Sequence, residues 1–282
     1  MTKKTIFKRI TYSVISLIVL ALAIVFIWST LILNKTFNVP LAELAIPNDT
    51  TSINEGHRLV QIAHCSDCHG EHFTGNVFVK INHVAEIVAP NITKVIPTYS
   101  NPELERLIRH GIKKNGHSVL IMPSFMYYQL KKETVEKIIA YLRTLHPEPD
   151  TLNEAETTFD FLGRIALIQK KIIPVASMID HHSPRKYIHY DTTQVSFGKY
   201  LAMTTCTSCH GMDLKGVVGL GPNLIIAASY KREDFCKLLH TGIALGGRSL
   251  DLMSRVAKNN LCHLNENEMN CIYAYLKTKP TQ

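Results

Sequence analysis

"HCSDCHGEHFTGN", residues 64–76, holds two cysteines three positions apart with a histidine directly after the second. A Cys-x-x-Cys pair suits zinc, dithiol exchange and haem attachment alike, so this stretch alone leaves three different proteins open. The rest of the chain narrows them. Residues 205–217, "TCTSCHGMDLKGV", repeat the frame Cys-x-x-Cys-His-Gly, with Gly75 and Gly216 at one shared offset from their histidines. The copies lie 141 residues apart, the length of a small domain, so one module occurs twice. A chain of 282 residues has room for two such modules.

The net charge of +8 invites a nucleic-acid reading, which its distribution removes. Lys3, Lys4, Lys8 and Arg9 stand before residue 35 with no acidic residue among them. The remainder carries 27 basic and 23 acidic residues and no long basic run that could track phosphates. The four early cations precede Ile10–Leu33, 24 residues without a charge. At helical rise this stretch spans about 36 Å, against about 30 Å of bilayer hydrocarbon. Basic residues before it and only Lys35 soon after it set the N-terminus in the cytoplasm and the rest of the chain beyond the inner membrane. A cleaved signal peptide is the competing reading. The apolar run is long for a signal core, and no small-x-small site follows at once, so a retained anchor is expected.

Export bears on the cysteines, because an oxidising compartment favours disulfides or thioether bonds over free dithiols. Zinc would need four ligands in a closed site, and neither motif has a second ligand pair at zinc spacing nearby. A redox dithiol needs a strand–helix setting, whereas "EGHRLVQIAHCSDCHG" reads as a helix running into a loop. Cys-x-x-Cys-His is the spacing of c-type haem attachment. Two sulfurs about one helical turn apart reach the two vinyl groups on one porphyrin edge, and the adjacent histidine supplies the proximal nitrogen. Cys65, Cys68, Cys206 and Cys209 are therefore expected to form thioethers, with His69 and His210 as iron ligands.

The sixth ligand must come from downstream. Met122, followed by Pro123, precedes a helix with Val135, Ile138, Ile139 and Leu142 at three- and four-residue spacing. Met253 holds the matching place before Met269, Ile272, Tyr273 and Leu276. Each methionine is expected in the loop just before its module's last helix. Met126 and Met203 read as core filler, and Met212 is too close to its motif. His117 is the rival in the first module, and His240 or His263 in the second.

These residues resemble class I cytochromes c over most of residues 52–282. Gly56, Leu59, Cys65–His69, Pro90, Met122 and Tyr141 carry the likeness in the first module. Gly198, Leu201, Cys206–His210, "GPNL" at 221–224, Met253 and Tyr275 carry it in the second. The resemblance implies that the first and last helices cross where a glycine meets an aromatic residue. It also implies that Pro90 and Pro222 send their carbonyls to the proximal histidines, fixing the rings. The chain is more closely similar to membrane-anchored dihaem cytochromes c that accompany bacterial dehydrogenases. It departs from their alcohol dehydrogenase relatives in having two haem motifs where three are usual, and from its own first module in Ser254, which follows Met253 where a proline follows Met122.

The expected fold is all-α: an anchor at 10–33, cytochrome c domains at 50–148 and 191–282, and a connector at 149–190. Phe161, Ile165, Ile168 and Ile172 predict a short connector helix lying against a domain and ended by Pro174. His181 and His182 are expected to face solvent before Ser183–Pro184. Cys236, Cys262 and Cys271 are expected as inert thiols, with a Cys262–Cys271 bridge as the alternative. Cys236 and Cys271 align with Glu105 and Lys137 and so read as partly exposed. No Ser-His-Asp set, carboxylate pair or phosphate loop is evident. The expected function is one-electron transfer through two covalent haems, from a periplasmic dehydrogenase to a cytochrome or terminal oxidase. A dihaem peroxidase with one displaceable ligand, and a dihaem subunit of a terminal oxidase, stay open beside it.

Overall fold

The computed structural model describes residues 3–149, 156–187, 190 and 193–279. Helix α1 runs from Lys3 to Leu33, so the uncharged stretch continues back through the four basic residues without a break. Nearly all its side chains are exposed. Among the described residues it is the one helix long and apolar enough to cross a membrane.

The first domain begins where the Asp49 carboxylate accepts the Ser52 amide and starts α2, Thr50–Ile62. Short helices α3 (Cys65–His69) and α4 (Ile92–Val95) follow. A capping box between Ser100 and Glu103 opens α5, Asn101–His110, which Gly111 closes in the left-handed region. Next come α6 (Ser124–Tyr127) and α7 (Lys132–Leu142). Helices α2 and α7 cross at Gly56, where a Cβ would fall 2.0 Å from the Lys137 carbonyl oxygen. Below the crossing, Val60, Val135, Ile138, Ile139 and Leu142 are buried together with Leu104 and Met126. Each such side chain contributes about 1.5–3 kcal/mol of burial.

Between α3 and α4 a hairpin interrupts the helices. Strands β1 (Asn76–Ile81) and β2 (Ala85–Ala89) pair antiparallel, with an irregularity between Val77 and Val79. The β-branched runs "VFVKI" and "EIVA" favour strands on either side of a tight turn. Strand β3, Thr158–Phe159, then adds to β2 from the connector. This small sheet stands outside the all-α expectation, although helices dominate the molecule.

Connector helix α8 covers Phe161–Ile168 and ends at Gln169, well short of Pro174. Its buried positions are Gly163 and Leu167, while Phe161 is exposed, so the expected stripe through Phe161, Ile165, Ile168 and Ile172 is not its packed face. The helix is held from two sides. Gly163 abuts the Val84 carbonyl, and Arg164 reaches α1. His181 is half-buried with its Nδ1 2.9 Å from that of His110, which corrects the solvent-facing reading; His182 is exposed. Connector residues 150–155 and 188–189, and the expected domain start at 191, lie outside the described residues.

The second domain repeats the plan with α9 (Gln194–Thr205), α10 (Thr207–His210), α11 (Arg232–Thr241), α12 (Leu252–Asn259) and α13 (Glu266–Lys277). A two-residue hairpin, β4 (Ile243–Ala244) with β5 (Arg248–Ser249), follows α11. Gly198 lets α9 cross α13, since a Cβ there would lie 1.8 Å from the Cys271 carbonyl oxygen. Leu201, Met203, Leu239, Met269, Ile272 and Leu276 form its core, which Ile62 of the first domain joins. Polar bonds close the same interface. Arg58 donates to both carboxylate oxygens of Glu268 at 2.7 and 2.9 Å, and Asn260 donates to both of Asp67 at 3.0 Å.

Candidate functional site

The left-handed backbone of His64 turns the chain from α2 into α3 and sets Cys65 and Cys68 one helical turn apart. After His69 the chain folds back on itself. The Phe73 amide donates to the Gly70 carbonyl (3.0 Å), the Gly75 amide to that of His69 (2.9 Å), and the Ile92 amide to that of Phe73 (3.0 Å). Gly75 has φ +93° and lies against Asn91, an approach that a side chain would block. The loop delivers the Pro90 carbonyl to His69 Nδ1 at 2.8 Å. A carbonyl only accepts, so Nδ1 carries the proton and Nε2 holds the free lone pair. Burial keeps the imidazole below its ordinary pKa, against the opposing pull of the Pro90 bond, so the ring is a neutral ligand near pH 7.

The second motif is built from the same bonds. Leu214 donates to Gly211 (2.9 Å), Gly216 to His210 (2.8 Å), and Leu224 to Leu214 (2.9 Å). Gly216 has φ +98° and lies against Asn223. The Pro222 carbonyl stands 2.7 Å from His210 Nδ1. The glycine shared by the two motifs is thus explained by the turn that brings each proline to its histidine.

The thiols sit in apolar surroundings. Burial pushes Cys65 and Cys206 up to about 12 and Cys68 to about 11. Such thiols are poor nucleophiles near neutrality, the opposite of a dithiol-exchange site. No cluster of three or more metal-ligating residues of the zinc kind occurs among the described residues. Each site instead combines two thiols, an imidazole whose Nδ1 is pinned to a proline carbonyl, and a thioether on the same apolar core. Cys65, Met122, Leu59 and Tyr141 all pack on the first core, and Cys206 and Met253 on the second. This donor set fits a haem joined through both thiols.

The two methionines differ in backbone setting. Met122 lies in a loop, and Pro123 after it leads into α6. Met253 is in the first turn of α12, not in a loop as expected. Ser254 accounts for the difference: its hydroxyl donates to the Gly242 carbonyl and accepts the Leu250 amide at 2.8 Å, fastening a helix start that a proline's missing amide and ring would alter. Both methionines are half-buried. Met126 and Met203 are buried in the cores, and Met212 is exposed. Among the rival ligands, His117 pairs through its backbone with Thr36 on the lead-in from α1, while His240 and His263 are exposed.

The family model described as "Cytochrome C oxidase, cbb3-type, subunit III" matches residues 51–142, and the one described as "Cytochrome c" matches residues 195–279. The chain is a tandem cytochrome c. Its two cytochrome c domains carry two covalently bound haem c groups, and the cytochrome's work is electron transfer. No curated protein matches the chain.

Sequence reading missed what joins the two cytochrome domains. Asp67 sits between the cysteines of the first motif, and Asn260 ends the helix that bears Met253, so one bond pair ties the two sites together. Tyr127 was missed as well; its hydroxyl donates to the Ala63 carbonyl at 2.5 Å beside the first motif. Cys236, Cys262 and Cys271 are all free thiols. Cys236 and Cys262 are half-buried, but Cys271 is buried where α13 meets Gly198, which corrects the exposure expected from its alignment with Lys137. Glu105, the counterpart of Cys236, is itself buried against Arg109 at 2.7 Å.

Proposed function

We propose that this cytochrome is an inner-membrane electron relay whose haem domains stand in the periplasm, anchored by α1 with its N-terminus in the cytoplasm. Haem c supplies reversible one-electron chemistry at its iron. The chain's own residues do the rest. Cys65, Cys68, Cys206 and Cys209 hold the group, and His69 and His210 offer Nε2 with the ring fixed by Pro90 and Pro222. Met122 and Met253 would each offer the iron a thioether as a further ligand, which would favour the ferrous form. The two apolar cores keep water away, and the bonds from Arg58 and Asn260 hold the domains at one separation. The observation that carries this reading is the set of bonds the two attachment loops share, ending in the proline carbonyl on each histidine.

The donor in this reading is a periplasmic dehydrogenase, and the acceptor a cytochrome or terminal oxidase. The match of residues 51–142 to a cbb3-type oxidase subunit III model favours a second reading, in which the chain is itself a dihaem subunit of such an oxidase. Oxygen uptake by membranes from cells lacking the chain separates them. Loss of uptake with one dehydrogenase's substrate alone supports the dehydrogenase relay, and loss with every substrate supports the oxidase subunit. With both methionines in place, the purified ferrous protein is expected to bind little carbon monoxide and to turn over no peroxide. Fast carbon monoxide binding with peroxidase activity overturns the relay reading.

A further inference from the structure

The connector helix α8 has two exposed apolar residues side by side, Phe161 (48% exposed) and Leu162 (52%). It does not project into open solvent. Its N-terminal turn lies along α1, and an open apolar groove between them is lined by Val19, Leu22, Phe26, Ile27 and Phe161. The place of that groove on α1 decides what fills it. Hydrocarbon about 30 Å thick takes about 20 helical residues of an upright helix. Wherever 20 residues are chosen within the uncharged stretch 10–33, residues 14–29 fall inside them. The groove, running from Val19 to Ile27, therefore lies at acyl-chain depth, and Phe161 lies there with it.

The polar groups on α8 fit the same position. Arg164 donates through one guanidinium nitrogen to Ser29 Oγ (2.9 Å) and Thr30 Oγ1 (3.2 Å), and its guanidinium lies 4.2 Å from the centre of the Phe26 ring. Ser29 is fully buried, so this charge meets α1 at the last residue that every choice of span keeps in the hydrocarbon, where two hydroxyls and the Phe26 ring partner it and its stem can reach toward the headgroups. Exposed Lys170 and Lys171 follow the helix, where anionic headgroups would meet them. On its other side α8 is tied to the first haem domain. Gly163 packs against the Val84 carbonyl, and the Asp160 amide donates to the same oxygen at 2.9 Å.

We propose that α8 is inserted into the outer leaflet beside α1 as a second membrane contact, with Phe161 and Leu162 among the lipid acyl chains. It would fix the tilt of the first haem domain on the membrane, adding a second hold to the lead-in from α1, where Thr36 pairs with His117 and the Phe37 amide donates to the Gly116 carbonyl. This rests on the reading of α1 as a retained anchor, and the test separates the two. The full chain, matured with haem and placed in nanodiscs of phosphatidylcholine and phosphatidylglycerol, carries the photoreactive residue p-benzoylphenylalanine at position 28, 162 or 218. Lipid adducts, read by mass spectrometry, are expected at 28 and 162 in comparable yield, at least tenfold above the background at fully exposed position 218. Adducts at 28 with only background at 162 overturn the insertion of α8 and leave the anchor standing. Background at both positions overturns the anchor and the insertion together.

Discussion

The two haem domains agree on the histidine side of the site and part company on the other. Three backbone bonds fold each attachment loop in the same way and each proline carbonyl meets its histidine, although 21 residues separate His69 from Pro90 and only 12 separate His210 from Pro222. The first domain uses the extra length for the β1–β2 hairpin, on which β3 and α8 are built; the second closes the same distance with a short loop around Val218. On the methionine side, a loop with Pro123 stands against the first turn of α12 with Ser254. The charges differ as well. Buried Glu105 and Arg109 of α5 correspond to Cys236 and exposed His240 of α11. The attachment loop must meet a fixed geometry at every atom, so it tolerates insertion only where the chain can leave and return. A thioether on a flexible side chain can be presented from either backbone.

The largest effects expected are at the methionines. Met122→Ala and Met253→Ala should each open one iron, lower that haem's potential and admit carbon monoxide, with loss of half of the weak far-red band that marks ferric methionine–iron bonding. Equal effects at the two sites would show that loop and helix present the sulfur equally well. If Met253→Ala leaves the spectrum, potential and carbon monoxide binding unchanged, the second iron uses another ligand, and the two sites differ in chemistry as well as in backbone.

Next is the seam between the domains. Asn260 is fully buried and spends its amide on Asp67, so Asn260→Ala removes both bonds and leaves a carboxylate short of partners. A cost of about 1–3 kcal/mol is expected. Thermal unfolding followed by circular dichroism should change from one transition to two, and electron equilibration between the haems after a fast pulse of reductant should slow. A single transition with unchanged equilibration would mean that the other contacts across the seam, among them Ile62, Arg58 and the Lys131 amide donating to the Tyr200 hydroxyl, hold it without Asn260.

The smallest effect expected is a pH dependence centred on His110 of the first domain. Burial, with His181 and the nearby arginines adding to it, lowers His110 to about 4. Between its unfolded value of about 6.5 and about 4, the unfolded chain takes up a proton that the folded domain refuses. Stability should therefore fall as the pH drops through this window and level off below it. The melting temperature should show that slope, and His110→Gln should reduce it, with His69 and His181, both lowered by burial, keeping part of it. The second domain has Thr241 at the corresponding position, and its share of the slope comes instead from His263, which partial burial, with His57 and Arg58 nearby, also lowers.

The attachment loops were legible in the sequence because their determinants are local. Two cysteines, a histidine and a glycine within a dozen residues leave one workable geometry. The glycines at the helix crossings, Gly56 and Gly198, were legible through the resemblance to class I cytochromes c. What escaped depends on contacts that no spacing encodes. Arg58 meets Glu268 across 210 residues, and Asn260 meets Asp67 across 193. The face of α8 was misread because an apolar stripe presumes a single neighbour, whereas this helix has the sheet on one side and α1 on the other. His181 escaped for a similar reason, since its partner His110 lies on another element 71 residues away. The missing proline after Met253 was visible in the sequence, but the helix start that Ser254 fastens was not.

The claim on which the rest depends is that this chain carries one covalent haem at each of two like-built sites. Mass spectrometry of the full chain, purified from a host able to export and mature it, measures this directly. The mass should exceed that of the polypeptide by two haems, and both should survive acid–acetone extraction. Peptides containing Cys65–His69 and Cys206–His210 should each carry one. A product with a single haem, with haem lost on extraction, or with zinc at either motif would contradict the claim.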